Sequence, residues 1–202
     1  LAQMLFDACI EDCPDDAVSL ASVASLDIMP CVGCGVCGPG PNDVSADGST
    51  FRSAEGEDGE DGEDGEDGEE TPSPRRIRYA CPIEDDMADV AEVLDAADEL
   101  LVVCPLYFSG PPSQMKALID RLQPYFHSCL RHGTRRPAAL HVVGEGDGPA
   151  GWQPLADILA SALRCAGFEL ETVLDWTGRI TEDGEIQDDA DEYPYLLDGD
   201  DR

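Results

Sequence analysis

The segment from Leu100 to Arg121 leaves the chain few folds to choose from. Leu100-Leu-Val-Val-Cys104 is apolar without alternation, the pattern of a strand covered on both faces in a parallel sheet. Pro105 ends the strand, and Gly110, Pro111 and Pro112 break the backbone again. Ser113 is then placed to cap a helix carrying Met115, Leu118, Ile119 and Leu122 on one face. Strand, tight loop and helix in this order predict an α/β sheet, and such sheets bind ligands in the loops at the carboxyl ends of their strands.

The remainder of the chain reads the same way. Leu1 to Cys13 has helical spacing through Leu1, Met4, Leu5, Ala8 and Cys9, and Pro14-Asp15-Asp16 turns the chain. Ala17 to Val23 alternates and predicts a strand. Asp85 or Asp86 is placed to cap a helix with Met87, Val90, Ala91 and Leu94 inside. A strand is expected over Ala138 to Val143, followed directly by Gly144-Glu145-Gly146-Asp147-Gly148. Pro154 opens a helix with Leu155, Ile158, Leu159, Ala162 and Leu163 buried, Gly167 stops it, and Phe168 to Trp176 supplies the last strand. The acidic end, 188–202, is expected to trail over the surface.

Charge excludes some partners. The net charge is -32, and although eleven of the 44 acids fall between Glu55 and Glu70, 33 lie elsewhere against twelve basic residues. A surface so acidic repels nucleic acid and anionic membrane, so neither is an expected partner. One lysine, Lys116, among so many carboxylates fits either solubility or life at high salt. Residues 38–74 hold a repeated Glu-Asp-Gly triplet with almost nothing apolar, which cannot offset chain entropy by burial; they are read as a disordered acidic insertion. No apolar run reaches the length of a membrane span and no signal sequence opens the chain, so the cytoplasm is the expected compartment.

Nine cysteines, an odd number, fit a reducing compartment in which thiols stay free for metal. Cys31, Cys34 and Cys37 can turn their sulfurs to one point because Gly33 and Gly35 let the backbone curl. Cys81, followed by Pro82 as in the last Cys-Pro of bacterial ferredoxin runs, is the candidate fourth ligand of a [4Fe-4S] cluster. The 43 intervening residues do not forbid this, since closure entropy grows by only about 0.6 kcal/mol per doubling of loop length. Zinc, which prefers two separated Cys-x2-Cys pairs, and cluster-free thiols stand as alternatives. Cys9, Cys13, Cys104, Cys129 and Cys165 read as small core residues. His127, His132 and His141 are scattered and read as surface or capping residues, and no catalytic side-chain constellation is visible.

Pro105-Leu106-Tyr107-Phe108, with Ser113-Gln114-Met115-Lys116 and Ile119-Asp120-Arg121, resembles the flavin loop and following helix of the flavodoxin-like NAD(P)H-dependent FMN reductases. Cys31-Val-Gly-Cys34-Gly-Val-Cys37, then Cys81-Pro-Ile-Glu-Asp85-Asp86-Met87, is similar to the iron-sulfur flavoproteins of that superfamily. The resemblance implies a three-layer sandwich on a parallel sheet of order 2-1-3-4-5, spread over 1–37 and 75–187, with Ala17–Val23 as its second strand. Strand 1 and the FMN phosphate loop would lie ahead of Leu1, about fifteen residues by usual strand and loop lengths. A fragment, a misassigned start and a relative that has lost flavin binding each account for that. The resemblance further implies FMN held by Pro105, Leu106, Tyr107, Phe108, Ser109 and Gly110 and by Gly144, Glu145, Gly146, Asp147 and Gly148, the lesser alternative for Tyr107 and Phe108 taken alone being ordinary core aromatics. It implies NAD(P)H as electron donor, a ferredoxin or small molecule as redox partner, and a homo-oligomer. The expected function is an FMN-dependent electron-transfer iron-sulfur flavoprotein, the alternatives being a cluster-free flavin or quinone reductase and a non-catalytic acidic interaction domain.

Overall fold

The computed structural model describes residues 1–37, 81–126, 134–146 and 150–195. The acidic insertion expected over 38–74, Cys129, His127, His132, Asp147, Gly148 and the end of the acidic tail lie outside the described residues.

The elements are α1 (Ala2–Asp12), α2 (Met87–Ala96), β1 (Leu100–Pro105), α3 (Ser113–Asp120), α4 (Gln123–Phe126), β2 (Arg136–Val143), α5 (Gln153–Cys165), β3 (Phe168–Asp175) and β4 (Asp191–Pro194). One sheet of four strands runs in the order β1-β2-β3-β4. β1 pairs parallel with β2 from Leu100 opposite Ala138 to Pro105 opposite Val143, and β2 pairs parallel with β3. On β2 the successive residues Leu140, His141 and Val142 are all buried, as they must be when both faces of a strand are covered. The α/β class expected from the sequence is therefore present.

Helix faces follow apolar spacing. α2 buries Met87, Ala91 and Leu94, and α5 buries Leu155, Ala156, Leu159, Ala160 and Leu163 against the sheet, where Phe168, Leu170 and Val173 meet them. Ile158, expected inside, is exposed, and the small Ala156 and Ala160 take the packed positions. Pro154 lies in the first turn of α5, and Gly167 stops it with φ 81°. Ser113 is the first residue of α3 rather than its cap; its hydroxyl turns to Gln114, and Lys116 N–H donates to Pro112 O at 2.8 Å. Asp85 serves α2, accepting from Met87 N–H at 3.1 Å.

Further expectations are corrected. Ala17–Val23 is not a strand: it runs without ladder partners into a single 3-10 turn, Val23–Ser25, because β1 is the edge of the described sheet and no described strand lies beside 17–23 to pair with it. α1 forms as expected but buries no residue. Asp191–Pro194, expected to trail, pairs antiparallel with β3, and Arg179 ties it down by donating to Asp189 O at 2.6 Å and pairing with Asp191. Among the thiols expected in the core, Cys104 is fully buried and burial pushes it up to about 12, Cys9 and Cys165 are half-buried, and Cys13 is exposed.

Two polar groups organise the sheet ends. Arg136 donates to Leu94 O at 2.7 Å and Ala97 O at 2.6 Å, and to Ala166 O at 2.9 Å, so one guanidinium satisfies carbonyls at the carboxyl ends of α2 and α5 while lying 3.9 Å above the Phe168 ring. His141, read from sequence as a surface or capping residue, is only 5% exposed. Its Nδ1 accepts from the Trp176 indole N–H at 3.0 Å, which leaves the ring proton on Nε2, and burial holds its pKa below the usual histidine value.

Arg136→Met keeps an apolar stem but leaves these carbonyls unpartnered, and it is expected to lower unfolding free energy by about 2–4 kcal/mol, read by urea titration. For His141 the native state binds fewer protons than the unfolded chain, so its contribution is full above about pH 6.5 and lost as pH falls from there toward the lower native value. Urea unfolding at pH 7.5 and 5.5 should show a loss of stability that is smaller in His141→Phe by the histidine's share. Equal losses in both proteins would refute it.

Candidate functional site

The three parallel strands end side by side, and their loops meet at Gly144. Leu106 N–H donates to Val143 O at 2.8 Å and Trp176 N–H to Val142 O at 2.9 Å, carrying the ladder just past β1 and β3. A Cβ on Gly144 would stand 3.4 Å from Leu106 Cβ and 3.7 Å from Thr177 Cγ2. A methyl group would touch both neighbouring loops, and a branched side chain would have to displace them.

The loop after β1 is a two-residue hairpin. Tyr107 and Gly110 exchange backbone hydrogen bonds at 2.9 Å each way, and Phe108 and Ser109 between them have φ of 51° and 63°. Both central residues at positive φ make this a type I′ turn, normally the province of Asn and Gly. For a bulky residue such as Phe108 the left-handed region costs about 1–2 kcal/mol. Phe108 is nevertheless fully exposed and Tyr107 is 60% exposed, so neither is a core aromatic. A strained backbone and a solvent-facing aromatic pair thus coincide at this turn.

A third loop was missed in the sequence. Asp175 Oδ1 accepts from Thr177 N–H at 2.9 Å and from its hydroxyl at 2.7 Å, closing a turn that places Gly178, at φ 71°, against the glycine loop. Gly178 N–H donates to Gly144 O at 2.7 Å. The available signal was a Thr-Gly pair immediately after a strand, at the sheet end where ligands bind. Of the residues expected to hold flavin, 105–110 and 144–146 are thus brought together.

The cysteines form a separate place. Cys31, Cys34, Cys37 and Cys81 line one cavity of about 450 Å³ together with Pro82, Arg121 and Pro124. Gly33 and Gly35 stand at φ of 65° and 73° with open space where a Cβ would be, so the backbone curl, not crowding, demands glycine. Burial raises the Cys37 thiol pKa, and Cys31, Cys81 and Cys34 push it the same way, as expected of sulfurs that share one neighbourhood. Among the described residues no three His, Cys, Asp or Glu side chains are drawn close enough to hold an ion as they stand. The donor set, four thiols on two arms around one cavity, has the chemistry an iron-sulfur cluster takes. Arg121, 1% exposed, grips both arms through Asp85 at 2.6 and 3.0 Å, Met29 O at 2.9 Å and Ile83 O at 3.4 Å. Burial opposes the Asp85 charge, but Arg121 and the amides of Met29 and Met87 outweigh it and hold the carboxyl below its usual range.

The cysteine cavity and the hairpin are not adjacent within the chain. The hairpin leads into the amino end of α3, and Asp120, Arg121 and Gln123 line the cavity at its carboxyl end. Eight residues of helix separate them, about 12 Å along the axis.

Among the described residues no helix is long and apolar enough to cross a membrane. Comparison with known proteins adds the lineage. The chain is 46% identical over 68 residues to an iron-sulfur flavoprotein of Methanosarcina thermophila, covering 34% of this chain and 36% of that protein. It is 39% identical over 44 residues to one from Methanocaldococcus jannaschii (22% and 23%), and 29% identical over 66 residues to one from Archaeoglobus fulgidus (33% and 30%). The chain thus spans about a third or less of the length of these relatives. No solved structure gives a significant match. The model of the NADPH-dependent FMN reductase family matches residues 66–167, which contain the hairpin, α3 and the glycine loop; the chain belongs to that family, whose fold is flavodoxin-like.

Proposed function

We propose that this chain is an FMN-dependent oxidoreductase domain of the iron-sulfur flavoprotein type, with FMN at the hairpin and glycine loops and a [4Fe-4S] cluster on Cys31, Cys34, Cys37 and Cys81. The reading rests on one observation above the others: a strained hairpin presents Phe108 to solvent beside a glycine loop that the Asp175–Gly178 turn holds in place. In this reading Tyr107 and Phe108 offer aromatic faces, the backbone N–H groups of Phe108 and Ser109 at the tip of the turn offer hydrogen bonds, and Gly144 and Gly146 allow close approach. Asp147 and Gly148 belong to the same expected set. When bound, FMN would supply two-electron exchange with NAD(P)H or an organic substrate, and the cluster one-electron exchange with a protein such as a ferredoxin. The sheet order 2-1-3-4-5 also belongs to this reading, β1, β2 and β3 corresponding to strands 3, 4 and 5.

A cluster-free FMN reductase is the second reading. It is favoured by the spacing of the thiols, no three of which are in position to hold an ion among the described residues. Iron and sulfide analysis of anaerobically purified protein separates the two.

Titration of FMN with the chain is expected to quench flavin fluorescence saturably. Phe108→Ala should weaken binding roughly fivefold, for about 1 kcal/mol of aromatic contact, while Gly144→Val, which forces Leu106 and Thr177 away, should weaken it further. Flavin fluorescence unchanged at high protein concentration would remove FMN from the proposal.

A further inference from the structure

Accepting the cluster reading of the four cysteines, we propose that the buried Asp85–Arg121 pair positions the cysteine site, holding both thiol-bearing arms in register and setting the charge at the cavity wall. The grip is symmetrical in sequence. Met29, whose carbonyl Arg121 holds, precedes Cys31 by two residues, and Ile83, whose carbonyl the other Nη reaches, follows Cys81 by two. Asp85 completes the tie, since its Oδ2 also accepts from Met29 N–H at 2.9 Å. A second lace lies behind it: Asp86 Oδ2 accepts from Asp27 N–H at 2.7 Å, and Asp86 N–H donates to Asp27 O at 3.1 Å. Segments 56 and 59 residues apart are thus joined at the point where each enters the cavity.

Stability alone does not account for the pair. Buried ion pairs are often replaceable by apolar side chains without loss, because desolvation consumes the attraction. An apolar pair, however, cannot hold two carbonyls and an amide at fixed spacing, and lysine lacks the planar fork that does so here. The pair also carries a charge consequence. Arg121 lines the cavity and both side chains are at most 2% exposed, so neutralising either one leaves the other without its charge partner in a poorly solvated place. A cluster held by thiolates becomes more negative on gaining an electron, so a lone cation beside it favours the reduced state and a lone carboxylate disfavours it.

The test loads the full chain anaerobically with ferric iron, dithiothreitol as reductant and sulfide, measures the iron needed for half-loading, and titrates the loaded protein with dithionite through redox dyes. D85N and R121Q should each raise the half-loading concentration about tenfold, the usual size of an outer-shell effect. Their potentials should move in opposite directions, upward in D85N and downward in R121Q, and the D85N/R121Q double variant should return toward the parent. R121K, which keeps the charge and loses the fork, should load poorly yet keep the parent potential, and it stands in for R121Q if that variant does not fold by circular dichroism. Shifts in the same direction, or unchanged loading, would overturn the proposal while leaving the cluster in place. Failure of the parent chain to load, or loading that survives Cys31→Ser unchanged, would overturn the cluster reading and this proposal with it.

Discussion

The parallel pairing of β1, β2 and β3 is the constraint on which the candidate site depends. Parallel strands need long crossovers, and those crossovers leave all three carboxyl ends at one edge. The ladder does not stop at the strand ends: the amides of Leu106 and Trp176 bond to Val143 O and Val142 O, so the first residue of each outer loop is still fixed to β2. Gly144 then sits with little room to spare, because its neighbours on both sides have already been placed and a Cβ would come into direct contact with Leu106 and Thr177. The Phe108 turn is the next consequence. With Leu106 fixed and α3 starting at Ser113, little chain remains in which to reverse direction, and a two-residue turn does it at a cost in backbone strain.

α3 joins the two candidate sites. Its amino end issues from the hairpin, and just past its carboxyl end Arg121 grips both cysteine arms. Ala117 and Ile119 bury its inner face between. The hairpin and the cysteine cavity are thus tied to opposite ends of one packed helix, whereas α1 buries no residue and the 17–23 segment has no ladder partner among the described residues.

Much of this was legible because it is local. The apolar run at Leu100, the Gly-Pro breaks, the spacing of α2 and α5 and the Cys-x2-Cys-x2-Cys run each declare themselves within a dozen residues. What escaped is non-local. Ala17–Val23 has a strand's alternation, but a strand is made by its neighbour and none is described there. His141 looked unattached because its partner, Trp176, is 35 residues away. The Arg121 grip spans 92 residues to Met29 and 36 to Asp85, so no window could display it. The core alternative for Phe108 falls for another reason: an aromatic beside a buried strand is ordinarily core, and only the turn geometry turns this one outward.

The charge bears on how any anionic ligand is held. Each of the six described basic side chains is already engaged: Lys116 by Asp120, Arg121 by Asp85, Arg135 and Arg164 by Glu169, Arg136 by helix carbonyls, and Arg179 by Asp188 and Asp191. With a net charge of -32, the long-range field therefore opposes the approach of a phosphate-bearing cofactor rather than steering it. A ligand bound at the strand ends, as proposed, would have to rely on short-range contacts, namely backbone N–H groups, glycine clearance and aromatic faces, which salt barely affects. The repulsion acts over a Debye length and is screened as ionic strength rises, falling from about 10 Å at 0.1 M to about 3 Å at 1 M. Salt thus removes the opposing term and leaves the favourable one nearly untouched, so a surface that hinders the cofactor in dilute buffer becomes nearly neutral to it in concentrated brine.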